Sequence, residues 1–161
     1  MKNESLVTRL LLVNPFKKGM VEWLILIATG VCGLIFSWPS LSFFPTSTIS
    51  GGVLVLLALV FHMVAEKDHR QAHERVENIE IIVKSGVYSK IRHPLYLSLI
   101  VLNAGIALAF GGLVTLAIAL LTVFHWGAVS WKEEQILTER FQGEYSQYKK
   151  NVRWRMIPGI F

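Results

Sequence analysis

Cysteine is nearly absent: Cys32 is the only one in 161 residues, which excludes an intramolecular disulfide and a metal centre built from thiolates. Charge is scarce too. Asp, Glu, Lys and Arg make up 17% of the chain, where an average soluble domain has roughly 25%. Together with 53% hydrophobic residues and a mean hydropathy of +0.49, this does not fit an ordinary water-soluble globule. A glycine-rich loop between a strand and a helix is also missing, since Gly30-Val-Cys-Gly33 falls inside an apolar run. No internal repeat or low-complexity tract stands out.

Sixteen Lys and Arg against eleven Asp and Glu give a net charge of +5, a balance that in a soluble protein would raise nucleic acid as a partner. Their placement argues against it. From Trp23 to Ala65 there are 43 residues without one charged side chain, and from His93 to Trp131 there are 39. Each run is about twice the roughly 20 residues of a membrane-spanning helix, so each should cross, turn and return. The breaks are the Pro-, Ser- and Thr-rich stretch from Pro39 to Ser50 and the pair Gly111-Gly112. Four spans are therefore expected, near 20–38, 49–65, 95–110 and 113–130.

All sixteen basic residues fall into three segments: four in 1–19, six in 66–92 and six in 132–155. An even number of crossings puts those segments on one side, and the bias of Lys and Arg toward cytoplasmic loops names it as the cytosol. The expectation is one all-α integral membrane domain over 1–161: an interfacial segment (1–19), a first hairpin (20–65), a cytosolic connector (66–94), a second hairpin (95–130) and a cytosolic C-terminal helix and tail (131–161). The amino terminus does not read as a cleavable signal, because the apolar run Leu10 to Val13 is too short and no small-residue cleavage site follows. Glu22 should stand at the mouth of the first span.

Apolar spans offer little chemistry, so activity must come mainly from the cytosolic segments. Residues 66–80 have a helix-forming composition, Ile79, Ile81, Ile82 and Val83 read as extended, and Pro94 suits the first turn of the third span. Downstream, Leu137, Phe141, Tyr145, Tyr148 and Val152 mark the stripe of an amphipathic helix, with a kink or break expected at Gly143.

Two ordered motifs carry a resemblance. Gly86-x-Tyr88-x-x-x-Arg92-His93-Pro94-x-Tyr96 is followed, across a charge-free hairpin, by Glu133-Glu134-x-x-Leu137-x-x-x-Phe141-x-Gly143-Glu-Tyr145, then Tyr148 and a terminal Ile-Pro. Over residues 73–158 the chain resembles the isoprenylcysteine carboxyl methyltransferase family, part of a wider group of integral-membrane methyltransferases that includes phospholipid N-methyltransferases. The resemblance implies S-adenosylmethionine as methyl donor and a lipid-like or prenylated acceptor arriving from the bilayer, with membrane lipids as surroundings and no nucleic acid or metal. It implies a donor site of Glu80, Ile81, Ile82, Val83, Tyr88, His93, Pro94, Leu95, Tyr96 and Glu134, with His73 less certainly included, and catalytic roles for Arg92, His93, Glu134 and Tyr145. Aromatic and anionic groups suit a sulfonium cation.

One departure bears on the acceptor. Family members that methylate carboxylates carry an Arg four residues before the matching Glu, and here that position is Ser130; Lys132, Arg153 and Arg155 are the candidate substitutes. Carboxyl O-methylation of a prenylcysteine-like substrate is the leading expectation, since a carboxylate is already ionised near pH 7 and needs no base. Phospholipid N-methylation is the alternative, with His93, Tyr145 or Tyr148 as candidate bases, and a non-catalytic four-span binding or transport protein is the second. Taken singly, Tyr88 and Tyr96 also fit an interfacial aromatic belt, Arg92 a snorkelling side chain and His93 a helix cap. One of Glu133 and Glu134 should be solvated, Glu134 being the one that matches. His62 and His125 should be hydrogen-bonded packing residues, and Trp126 and Trp131 interface anchors.

Overall fold

The structure, a computed structural model, describes residues 13–159 apart from residues 44, 70, 72 and 73. His73 and most of the expected interfacial segment lie outside the described residues. Four α-helices are found among the described residues: α1 (Pro15–Ile35), α2 (Thr46–Asp68), α3 (Pro94–Phe110) and α4 (Leu113–Asn151). α1, α2 and α4 are long and apolar enough to cross a membrane; α3, at 17 residues, is shorter.

The short helix is the central one. Ten of its seventeen residues are buried, whereas α1 and α2 turn Leu24, Leu34, Leu56 and Leu57 outward. The closest packing is between α2 and α3, and glycine makes it possible. A Cβ on Gly51 would come within 2.3 Å of the Ala109 backbone nitrogen, and one on Gly105 within 2.9 Å of the Val55 nitrogen. Small residues that let backbones approach are the usual means of joining helices in lipid, where apolar side chains gain nothing by leaving the solvent.

The helix ends follow local chemistry. Asn14 caps α1 by accepting from the Phe16 backbone at 2.9 Å, with Pro15 in the first turn. Gly111 takes the left-handed conformation, φ 66°, which ends α3 and lets α4 begin two residues later. The turns of the two hairpins meet: the Leu41 amide donates to the Gly111 carbonyl at 2.8 Å and Leu113 to Pro39 at 3.0 Å. The opposite end of the bundle gathers the motifs together with Lys18, Arg92 and Arg155.

Three expectations are corrected. The helical stretch beyond the second span stops at Asp68, whose carboxylate instead accepts from the Val87 amide at 2.9 Å. This clamp starts the 3₁₀ turn Gly86–Ser89; a Cβ on Gly86, φ 56°, would collide with that carboxylate. No new helix starts at 131, because α4 runs on from the fourth span to a break at Gln142 (φ 42°, ψ −115°), one residue before Gly143, beyond which a second helical stretch follows. The break reverses the chain: Lys149 Nζ donates to Thr138 Oγ1 at 3.0 Å, a pair that unbroken helix would hold about 16 Å apart. Glu22 and Trp126 are both buried between helices and meet there. The Trp126 indole and the Asn103 amide both donate to Glu22 Oε2, at 2.9 and 2.7 Å, while His125 Nδ1 lies 3.5 Å from Oε1. His62 Nδ1 lies 2.8 Å from Ser98 Oγ, a packing contact between α2 and α3, and Trp131 is exposed.

Candidate active site

The motif at the start of α3 and the C-terminal tail are zipped together by backbone. Arg92 N–H donates to the Trp154 carbonyl at 3.0 Å and His93 N–H to that of Arg155 at 2.8 Å. Side chains complete the joint. Arg92 Nε donates to Glu134 Oε1 at 2.7 Å, and its Nη1 donates to the carbonyls of Val152 and Arg153 at 2.7 and 2.8 Å. Arg155 Nη2 donates to Glu134 Oε2 at 3.0 Å, and His93 Nε2 lies 3.2 Å from Oε1. Burial alone would raise the Glu134 pKa, but hydrogen bonds from His93, Arg155 and Arg92 outweigh it and hold this carboxyl well below the usual range. His93 does not cap α3 with its side chain.

Beside this joint lies a cleft of about 580 Å³, counting its open mouth, between the loop after α2, the start of α3 and the charged half of α4. Its walls include Tyr88, His93, Tyr96, Glu133, Tyr145 and Tyr148, with Ile81, Ile82, Val83, Arg92 and Leu95 among the remaining lining. The loop holds its shape through Gln71 Oε1, which accepts from the Glu80 amide at 3.1 Å. Tyr148 hydroxyl donates to the Tyr88 carbonyl at 2.7 Å and ties the folded-back end of α4 to the 3₁₀ turn. His93 and Tyr96 stack with ring planes 6° apart, and Tyr96 stacks in turn on Trp126, centroids 4.8 Å apart.

The expectation that one of the two glutamates is solvated is corrected: both are buried. They meet different partners. Glu133 faces the cleft and accepts from the Tyr96 hydroxyl at 2.6 Å, whereas Glu134 is consumed by the Arg92–Arg155 joint. Neighbouring residues of one helix point about 100° apart, and here that step turns Glu133 to the cleft and Glu134 to the arginines.

Glu80 and Pro94 adjoin the cleft without lining it. Ser130 is fully buried and donates to its own helix at the Gly127 carbonyl, 2.9 Å away. Lys132 Nζ reaches Gln135 Oε1 at 3.3 Å, and the Arg153 guanidinium packs over Trp154. None of Ser130, Lys132, Arg153 and Arg155 lines the cleft. Sequence reasoning missed His69, Gln71 and Glu74, which no motif marks, and Glu133, which the motif contains but does not orient. Burial pushes the hydroxyl pKa values of Tyr88, Tyr145 and Tyr148 well up, with nearby carboxylates adding to the effect, so all three stay protonated donors at neutral pH. A raised hydroxyl pKa disfavours Tyr145 and Tyr148 as general bases at neutral pH.

The cleft combines aromatic side chains with a buried carboxylate, groups that attract cations. The known proteins point the same way. A family profile described as phospholipid methyltransferase matches residues 46–144. Protein-S-isoprenylcysteine O-methyltransferase of Saccharomyces cerevisiae is 29% identical over 129 residues, covering 73% of this chain and 54% of that protein. The chain thus spans about half the length of this curated relative.

Proposed function

The chain belongs to the phospholipid methyltransferase family, and from that premise we propose that it is an S-adenosylmethionine-dependent methyltransferase that esterifies the carboxylate of a prenylcysteine-like acceptor at the membrane. The observation that carries this reading is the cleft itself, where Tyr88, Tyr96, Tyr145 and Tyr148 converge with His93 and Glu133 at the polar end of the helix bundle. When bound, S-adenosylmethionine supplies an activated methyl group on a positively charged sulfur.

Everything else is the work of this chain's residues. Glu133, held by the Tyr96 hydroxyl, presents negative charge to the donor, and the tyrosines that line the cleft do not compete as bases. Leu95, with the half-buried Ile82 and Val83, adds apolar lining that limits water in the cleft. The Arg92–Glu134–Arg155 joint fixes the tail behind His93, so that donor and acceptor meet in a set orientation. An acceptor that arrives as a carboxylate needs no proton removed, which suits a site whose tyrosine hydroxyls stay protonated. The confinement of Lys and Arg to three segments of the sequence, two of which flank the spans that carry the motifs, supports a cytosolic cleft. The name of the matching family supports a second reading, methylation of a phospholipid amine.

The test is methyl transfer by purified protein in lipid nanodiscs, given labelled donor, a farnesylated cysteine with a free carboxylate, and phosphatidylethanolamine. Base-labile label on the cysteine derivative is expected. Label found only in phospholipid would establish the second reading and overturn the first.

A further inference from the structure

Glu22 is the last charged residue of α1, and its side chain is only 11% exposed among the helices. A carboxylate inside a span is costly, and such residues are rarely idle. Its Oε2 accepts from the Trp126 indole at 2.9 Å and from the Asn103 amide at 2.7 Å. The match to the phospholipid methyltransferase profile starts at residue 46, so α1 lies outside it, whereas Tyr96, Asn103 and Trp126 lie within.

Trp126 leads from this carboxylate to the donor cleft. Its fully buried ring stacks on that of Tyr96, centroids 4.8 Å apart, and Tyr96 lines the cleft, where its hydroxyl donates to Glu133 at 2.6 Å. The Lys18 ammonium, 4.9 Å from the Trp126 centroid, and the His125 ring, 5.2 Å away, also meet the indole. Contacts of that kind tolerate rotation of the ring in its own plane, but a hydrogen bond to the indole N–H does not. The bond to Glu22 therefore sets the angle at which Trp126 backs Tyr96. Without an acceptor at position 22 the buried N–H would turn toward another partner, because leaving it unpaired costs more than an average hydrogen bond gains. Tyr96 and Glu133 would shift with it.

We infer that Glu22 is a positioning residue of the methyl-donor site, acting through Trp126 on Tyr96 and Glu133 from a helix that contributes no residue to the cleft lining. The inference rests on the donor-site reading above and holds for either acceptor. Asn103 supplies the contrast: it bonds the same carboxylate oxygen and joins α1 to α3 without lining the cleft.

The experiment is calorimetric titration of S-adenosylmethionine into wild type, Glu22→Leu, Glu22→Gln, Trp126→Phe, Asn103→Leu and the double variant Glu22→Leu/Trp126→Phe in nanodiscs, with melting temperatures recorded alongside. Glu22→Leu should weaken donor binding by about ten-fold, the size of one hydrogen bond to a charged group. Glu22→Gln keeps an acceptor oxygen and should stay within about three-fold of wild type. Trp126→Phe keeps a ring but loses the N–H, so adding Glu22→Leu to it should weaken binding by no more than about two-fold further. Asn103→Leu should bind the donor within about two-fold of wild type whatever its melting temperature. A carboxylate that merely pinned α1 to the bundle would lower the melting temperature in Glu22→Leu and Asn103→Leu alike and leave the donor affinity of the folded protein unchanged. Donor binding by Glu22→Leu within about two-fold of wild type, or fully additive losses in the double variant, would overturn this inference alone. Should Glu22→Leu not accumulate, Glu22→Met carries the same comparison. A wild type that binds no donor would instead overturn the underlying reading.

Discussion

Replacing Glu134 with Gln tests whether this carboxylate holds the site together from behind or faces the donor. Three donors converge on it: Arg92 Nε at 2.7 Å, Arg155 Nη2 at 3.0 Å and His93 Nε2 at 3.2 Å. The side chains of Glu134 and Arg92 are only 7% and 9% exposed, so water cannot replace the lost charge. Breaking one side of a buried ion pair costs about 3–5 kcal/mol. Glutamine keeps the shape and still accepts one bond, and Arg92 keeps its two carbonyl partners, which places the cost near the lower end, about 3 kcal/mol. At about 2–4 °C per kcal/mol for a chain of this size, the melting temperature in detergent should fall by about 6–12 °C. Donor affinity should fall as well, because the tail that backs His93 is released. Glu133→Gln should behave in the opposite proportion, with a small change in melting temperature and the larger loss in donor affinity. Thermal unfolding followed by tryptophan fluorescence, paired with calorimetric titration of the donor, separates the two. A Glu134→Gln variant that melts within about 2 °C of wild type, less than 1 kcal/mol by the same conversion, would refute the reasoning.

Two further outcomes are expected. Gly51→Ala, whose Cβ would meet backbone of α3 at 2.3 Å, should destabilise by about 1–3 kcal/mol, whereas Gly52→Ala next to it, with open space around its Cβ, should be neutral or slightly stabilising; equal melting temperatures for the two would exclude the close α2–α3 crossing. Burial lowers the His69 pKa, and His93 nearby adds to this. Above pH about 6.5 the ring is neutral in both states and contributes nothing; below it the unfolded chain takes up the proton first, so stability falls as pH drops toward the lower folded value. The melting temperature of wild type should therefore fall further between pH 7.5 and 5.5 than that of His69→Gln, and parallel slopes would contradict the assignment.

Much of the bundle was legible because its signals are local and repetitive. Two long charge-free runs, each with a break of turn-forming residues, require helical hairpins, and Gly111-Gly112 turns where glycine is needed for a positive φ. The chemistry was legible as motif order, since Tyr88, Arg92, His93, Tyr96, Glu134 and Tyr145 all gather at one end. Directions were not. Whether Glu133 or Glu134 faces the cleft depends on the rotation of α4 about its axis, which is fixed by packing against α3 and by the tail. The break at Gln142 beside the suspected glycine, and the Asp68 clamp that ends α2, depend on partners 11 and 19 residues away in sequence.

By itself the sequence determined that the chain is a bundle of apolar helices with its basic residues in the segments that flank the charge-free runs, because burying charge in hydrocarbon is too costly to permit another distribution. Only the tertiary structure decided which polar groups meet across helices. It brought Glu22 and Trp126 together, committed Glu134 to the arginines and left Glu133 for the cleft. It also set Lys18, remote from both motifs, over the Trp126 ring. Such contacts join residues far apart along the chain, and their energies depend on orientation and on the exclusion of water, neither of which residue order can express.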